Sequence, residues 1–255
     1  MKKKRKVLTC LAAGFLTAAV GAAWYLENND LGTTQLFYQD DKLPVAFDGF
    51  RIVQVADLHD KRFGPRQERL LSALRAAKPD CIVMTGDLID RAAQGWSAAA
   101  AFIQGAVEIA PVYFVTGNHE NWSGQAEDVK RFLAKANVVV LDDRCETLTR
   151  GNESILLAGV SDETCQRRKA GEMGRRFCSQ RSAGCWKVRR LSDPSGASSR
   201  ALCYICAGGL DLVFCGHAHG GQFRLPGVGG LYALARVFPK VHGRAVYHGG
   251  DDDDC

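Results

Sequence analysis

The sequence predicts an α/β protein carried behind an N-terminal helix long enough to cross a membrane. A basic head precedes an uncharged run of twenty residues. Further along, apolar strand-like runs alternate with helical stretches. The polar ends of the first three runs recur at steps of 30 and 31 residues, the length of one βαβ unit. With 255 residues, 46% of them hydrophobic and 24% charged, the composition is that of a globular chain. It excludes a disordered chain, a collagen-like repeat and a multi-pass membrane protein.

The N-terminal segment carries five positive charges in its first six residues, then the run Val7 to Leu26. Twenty residues can just span the hydrocarbon core as a helix. The basic flank predicts a cytoplasmic N-terminus with the rest of the chain outside. Residues 1–27 are therefore expected to be a signal anchor, single-pass, with the following domain on the extracytoplasmic side. A cleavable signal peptide is the alternative, because Val20-Gly21-Ala22-Ala23 offers small residues near the end of the run. Residues 28–45 form a polar linker, and 46–250 the expected domain.

Each element follows from its pattern. Arg51 to Ala56 is a strand-like run that ends in Asp57-Leu58-His59. Leu70, Leu71 and Leu74 recur at helical spacing within 66–77. Asp80 to Thr85 is the next strand, ending in Gly86-Asp87-Leu88-Ile89-Asp90, and a helix is expected over 96–109. Pro111 to Thr116 ends in Gly117-Asn118-His119-Glu120, before a helix over 125–135. Val138 to Leu141 and Ser154 to Ala158 are later strands. Leu210 to Cys215 ends in Gly216-His217-Ala218-His219.

Strands joined by crossover helices run parallel, so their carboxyl ends meet at one sheet edge, where such sheets bind ligands. The spacing alone brings Asp57, His59, Asp87, Asn118 and His119 toward that edge. Singly, each cluster also fits a turn or a helix cap. Together they take up four of the six histidines in the chain. Imidazole, carboxylate and amide oxygen suit Zn, Mn or Fe better than Ca or a thiolate site. A carboxylate shared by two ions would clamp a phosphoryl oxygen and turn bound water into hydroxide near neutral pH.

Asp57-x-His59, Gly86-Asp87-x-x-Asp90, Gly117-Asn118-His119-Glu120 and Gly216-His217-x-His219 resemble, in order and spacing, the calcineurin-like metallophosphoesterases. The anchor and Gly220 to Pro226 are similar to the bacterial membrane-associated branch. The resemblance implies a four-layer α/β/β/α sandwich with two divalent metal ions at the sheet edge and a phosphoester substrate, diester or monoester. By position, Asp57, His59, Asp87 and His219 would hold the first metal. Asp87 would bridge to the second, held also by Asn118 and His217. His119 would be the catalytic acid or a transition-state contact, oriented by Glu120. A weakly active or inactive member that binds metal without efficient turnover is the alternative reading.

Two departures stand out. No histidine occurs between His119 and His217, where the family supplies one more second-metal ligand; Asp193-Pro194 is the nearest analogue. Its place falls in 163–207, which holds ten Lys/Arg against three acids and five of the ten cysteines. That window shows no sustained strand or helix period. It reads as a surface insertion knotted by a disulfide or Zn, as a basic patch for anionic lipid, or, the reading we favour, as a stretch translated out of frame. The window carries +7 and the rest of the chain −2, so the net charge does not indicate nucleic acid. The chain ends in an acidic tail, 251–255, with an incomplete C-terminal half expected of the sandwich.

Overall fold

The computed structural model describes residues 2–40, 43–92, 95–162, 185–188, 212–214, 216, 223–225, 229–233, 236–237 and 246–247. His217, His219, Asp193, the Cys203-x-x-Cys206 pair and the acidic tail lie outside the described residues.

The N-terminal run forms one helix, α1 (Lys2–Asn29). Within it, the most apolar 18 residues have a mean hydropathy of 1.8, and none of them is buried. By length and composition it can cross a membrane. Its exit is tied to the domain by an ion pair of 3.0 Å between Asp30 and Arg69.

The first sheet is parallel throughout. It consists of β1 (Ile52–Val55), β2 (Cys81–Met84), β3 (Val112–Phe114) and β4 (Val139–Val140), hydrogen-bonded in that order. Helices α2 (Glu68–Ala77), α3 (Ser97–Ala106) and α5 (Ala126–Lys135) make the crossovers, with a short α4 (Asn118–Trp122) after β3. Each expected strand and helix of this half is present, trimmed at its ends.

Side chains alternate across a strand, and the two faces of this sheet bury different neighbours. Ile82, Met84, Val112 and Phe114 face the helices, against Leu71, Leu74, Phe102, Ile103, Val129 and Leu133. Cys81, Val83, Tyr113 and Val115 face a second sheet, against Ile155, Leu157, Leu212 and Phe214. Three layers follow: helix, sheet, sheet. A fully buried Leu or Phe contributes about 1.5–3 kcal/mol, so these two cores hold the first sheet rigid from both sides.

The second sheet runs β12-β8-β7-β6-β5, with β5 Arg144–Arg150, β6 Glu153–Gly159, β7 Cys185–Val188, β8 Leu212–Phe214 and β12 Val246–Tyr247. The hairpin β5–β6 turns on Gly151 at φ 62°, a conformation open to glycine. A smaller sheet holds β9 (Phe223–Leu225), β10 (Gly229–Ala233) and β11 (Arg236–Val237).

Strand β7 corrects one expectation. The basic, cysteine-rich window was expected to lack a strand, yet Cys185–Val188 pairs in parallel with β6 on one side and β8 on the other. Four residues followed by Arg189-Arg190 are too short and too charged at the end to show a period of two. Within the window, Cys185–Val188 thus form part of the sheet.

Gly159, at the end of β6, sits where the two sheets close together. A Cβ there would press on the backbone oxygen of Leu141 and on the Val115 side chain. Backbone cannot move aside cheaply. Gly159→Ala should therefore destabilise the domain by about 1–3 kcal/mol, seen as a lower urea midpoint with unchanged slope.

Candidate metal centre

The loops after β1, β2 and β3 meet at one edge. The backbone N–H of His59 donates to Asp87 O at 2.9 Å, and that of Asp60 to Leu88 O at 2.9 Å. These bonds zip the first two loops together beyond the ends of their strands. To make them, Asp57, His59 and Asp87 take φ of 52°, 50° and 50°. Left-handed backbone at a non-glycine residue costs on the order of 1–3 kcal/mol and concentrates at functional sites. All three are residues read from the sequence as ligands.

Asp87 is fully buried. Its Oδ1 accepts from the N–H of His119 at 2.9 Å, and its Oδ2 lies 3.9 Å from His59 Nε2. Ligand atoms of His59, Asp87 and His119 fall within 4.8 Å of one another. The two imidazoles meet edge to face at 4.3 Å between ring centroids. The chemistry of this set, two imidazoles around a buried carboxylate, fits a divalent transition ion.

Asp57 faces a different neighbour. A Cβ on Gly216 would come within 3.0 Å of Asp57 Oδ1 and of the Thr85 backbone oxygen. Only a residue without a side chain fits so close. Gly216 immediately precedes His217, so the fourth motif begins at the same edge as the first three. Thr85 is held in turn by Gln54, whose Nε2 donates to its Oγ1 at 3.1 Å. Asn118 is fully buried beside His119 at the start of α4.

Glu120 is the hub. Its carboxylate is fully buried. Oε2 accepts from the N–H of Asp87 at 3.0 Å and of Gly117 at 2.8 Å, and Oε1 from that of Ile89 at 3.1 Å. The bond to Gly117 is the return half of a capping box. The other two reach across 31 and 33 residues to the Asp87 loop. Through these bonds Glu120 fixes the backbone of both loops. His119 Nδ1 accepts from the N–H of Arg91 at 3.2 Å. In the neutral ring that bond places the hydrogen on Nε2.

Asp90 stays local. Its carboxylate accepts from the N–H of Ala92 at 2.8 Å, an Asx-type turn. Asp60 accepts from the N–H of Ala99 at 2.7 Å, in the first turn of α3. Sequence reasoning missed Asp142, which takes both the N–H and the hydroxyl of Thr116 at 2.8 and 2.5 Å and so fixes the end of β3. The signal was available: Thr116 and Gln54 are polar positions in otherwise apolar strands. Cys81 is no candidate ligand. Burial, and secondarily Asp80, pushes its thiol up to about 12, so it remains protonated in the core.

A parallel sheet whose strand ends gather histidine and carboxylate around a shared point defines a metallohydrolase scaffold. The sequence model of the family described as calcineurin-like phosphoesterase matches residues 50–221, and the chain belongs to that family. The match runs through the basic window. Among relatives, the Bacillus subtilis protein named "Uncharacterized metallophosphoesterase YkuE" is 26% identical over 94% of this chain and 82% of its own length. The Escherichia coli protein named "Phosphodiesterase YaeI" is 28% identical over 91% and 83%. A Danio rerio protein named "Transmembrane protein with metallophosphoesterase domain" is 26% identical over 71% of this chain and 43% of its own.

Glu120→Gln tests the hub. An amide would present N–H to a backbone N–H and remove the charge that three donors share. Hydrogen bonds to a charged group are worth about 1.5–3 kcal/mol, so thermal unfolding should fall by several degrees. Metal affinity should weaken as well, because the Asp87 loop loses its clamp.

Proposed function

We propose that this protein is a metal-dependent phosphoester hydrolase with a dinuclear centre. The observation that carries the reading is the buried Asp87, fixed by backbone on one oxygen and directed at His59 with the other. Asp57, His59, Asp87 and His219 would hold one ion. Asp87, Asn118 and His217 would hold the second, with water in the place of the absent histidine, for which Asp193 is a poor substitute. When bound, two such ions supply Lewis acidity toward the phosphoryl oxygens and lower the pKa of a coordinated water.

The protein's own part is orientation and hydrogen bonding to the charge that develops on the leaving oxygen. Asp87 and His59 are pre-set by the zipped loops, so little ordering is left to be done on binding. His119 offers Nε2–H from a ring whose other nitrogen is fixed. As a water oxygen bonds to phosphorus and its proton passes to solvent, the P–O bond to the leaving group breaks, and His119 Nε2–H donates a hydrogen bond to the departing oxygen, which takes its proton from solvent. The relatives' names support phosphoester hydrolysis, and that of the Escherichia coli relative favours a diester.

Helix α1 associates the chain with a membrane by length and apolarity, and relatives named as transmembrane proteins support this. We place the domain on the extracytoplasmic side, since Lys2 to Lys6 would stay in the cytoplasm. Residues 1–27 then act as anchor, 28–45 as linker and 46–250 as the catalytic domain. The linker is short and partly packed: Tyr38 and Leu43 contact the second core.

Turnover of bis(p-nitrophenyl) phosphate with Mn²⁺, measured beside metal content, tests the reading. Asp87→Ala should abolish turnover and lower bound metal. His119→Ala should retain metal and lose roughly 10²–10⁴-fold in rate. Equal metal loss in both variants would contradict the division of roles.

A further inference from the structure

A second feature adjoins this centre and has no part in holding metal. Trp122 closes α4 with 49% of its surface exposed, an unusual state for the largest apolar side chain. Its ring lies 5.6 Å from that of His119, tilted by 39°. The guanidinium of Arg91 sits over the indole at 5.6 Å from its centroid. Arg91 is exposed, and its backbone N–H is the donor to His119 Nδ1. One short segment therefore fixes the proton-bearing histidine and stacks a cation on the tryptophan beside it.

From this arrangement we infer that Trp122, backed by Arg91, forms a binding subsite for a planar ring on the leaving side of the phosphoester. The substrate class is a phosphodiester with an aryl or nucleobase-bearing group next to the scissile bond. The inference rests on the hydrolase reading for its orientation: His119 marks the leaving oxygen, and the Trp122 ring lies 5.6 Å from the His119 ring. The exposed indole offers a π surface, which takes flat groups without demanding a particular hydrogen-bond pattern. Stacking on Arg91 limits the rotamers of both side chains, so less freedom is lost when a ring docks. An anionic phosphoester also gains from the exposed Arg91 charge at the rim.

The test uses the full chain in detergent, loaded with Mn²⁺. Binding of phenylphosphonate and of methylphosphonate is titrated by calorimetry, which needs no turnover. Both probes carry the same phosphonate, so their ratio isolates the ring. The wild type should prefer the phenyl compound by about 3- to 10-fold, the range of an aromatic contact. Trp122→Phe should retain most of that preference, and Trp122→Ala should bring the ratio close to one. An equal preference in Trp122→Ala and wild type, or none in the wild type, overturns the subsite. Hydrolysis of bis(p-nitrophenyl) phosphate is followed in parallel. A Trp122-dependent phenyl preference without hydrolysis would retire the hydrolase reading and leave the subsite standing. Hydrolysis without the preference would do the reverse, and failure of the wild type to bind either phosphonate would overturn the subsite.

Discussion

The candidate centre depends on one buried carboxylate that gathers backbone amides from two loops. Glu120 gathers the amides of Asp87, Ile89 and Gly117, and so locks the loop after β2 to the turn after β3. A buried charge is costly unless hydrogen bonds surround it. Here the three donors offset that cost and gain in return a fixed origin for the site. Asp87 then inherits its position, and the His119 amide, two residues from Gly117, caps one of its oxygens. Removing Glu120 would leave three backbone donors without their acceptor at the point where two strands deliver their functional groups.

The same lock explains how strained backbone persists. Asp57, His59 and Asp87 hold left-handed conformations that isolated chains avoid. They are over-determined by paired loop amides, by the rigid sheet behind them and by the close approach of Gly216 to Asp57. Two hydrophobic cores, one on each face of the first sheet, keep that sheet from yielding to the strain. Stability and function are therefore linked through the strand ends. A mutation that loosens the inter-sheet packing near Gly159 would be felt at the ligands.

Much of this was legible before the structure. The apolar runs of β2 and β3 are buried on both faces and that of β1 is half-buried, so their composition alone marks them, and the polar residues at their ends stand out by contrast. The β5 strand was not legible. Its sequence, Arg-Cys-Glu-Thr-Leu-Thr-Arg, lies at the sheet edge with only Cys145 and Leu148 half-buried, so no apolar period exists to be read. Strand β7 was hidden for another reason: four residues between charged neighbours are seated by partners on both sides rather than by their own pattern. The role of Glu120 was also beyond sequence reasoning, since an acid beside a histidine suggests a side-chain pair and gives no hint of amides 31 and 33 residues away. The Arg91–Trp122 stack joins the loop after β2 to the end of α4, and their meeting depends on the tertiary fold alone.

Anomalous diffraction from crystals of the full chain soaked with Mn²⁺ tests the central claim most directly. The account requires one peak among Asp57, His59 and Asp87, and a second sharing Asp87 with Asn118, with metal–ligand distances near 2.0–2.2 Å. The Glu120 carboxylate should keep its three amides and stay off both ions. A peak coordinated by Glu120, or ions bound without Asp87, would contradict it.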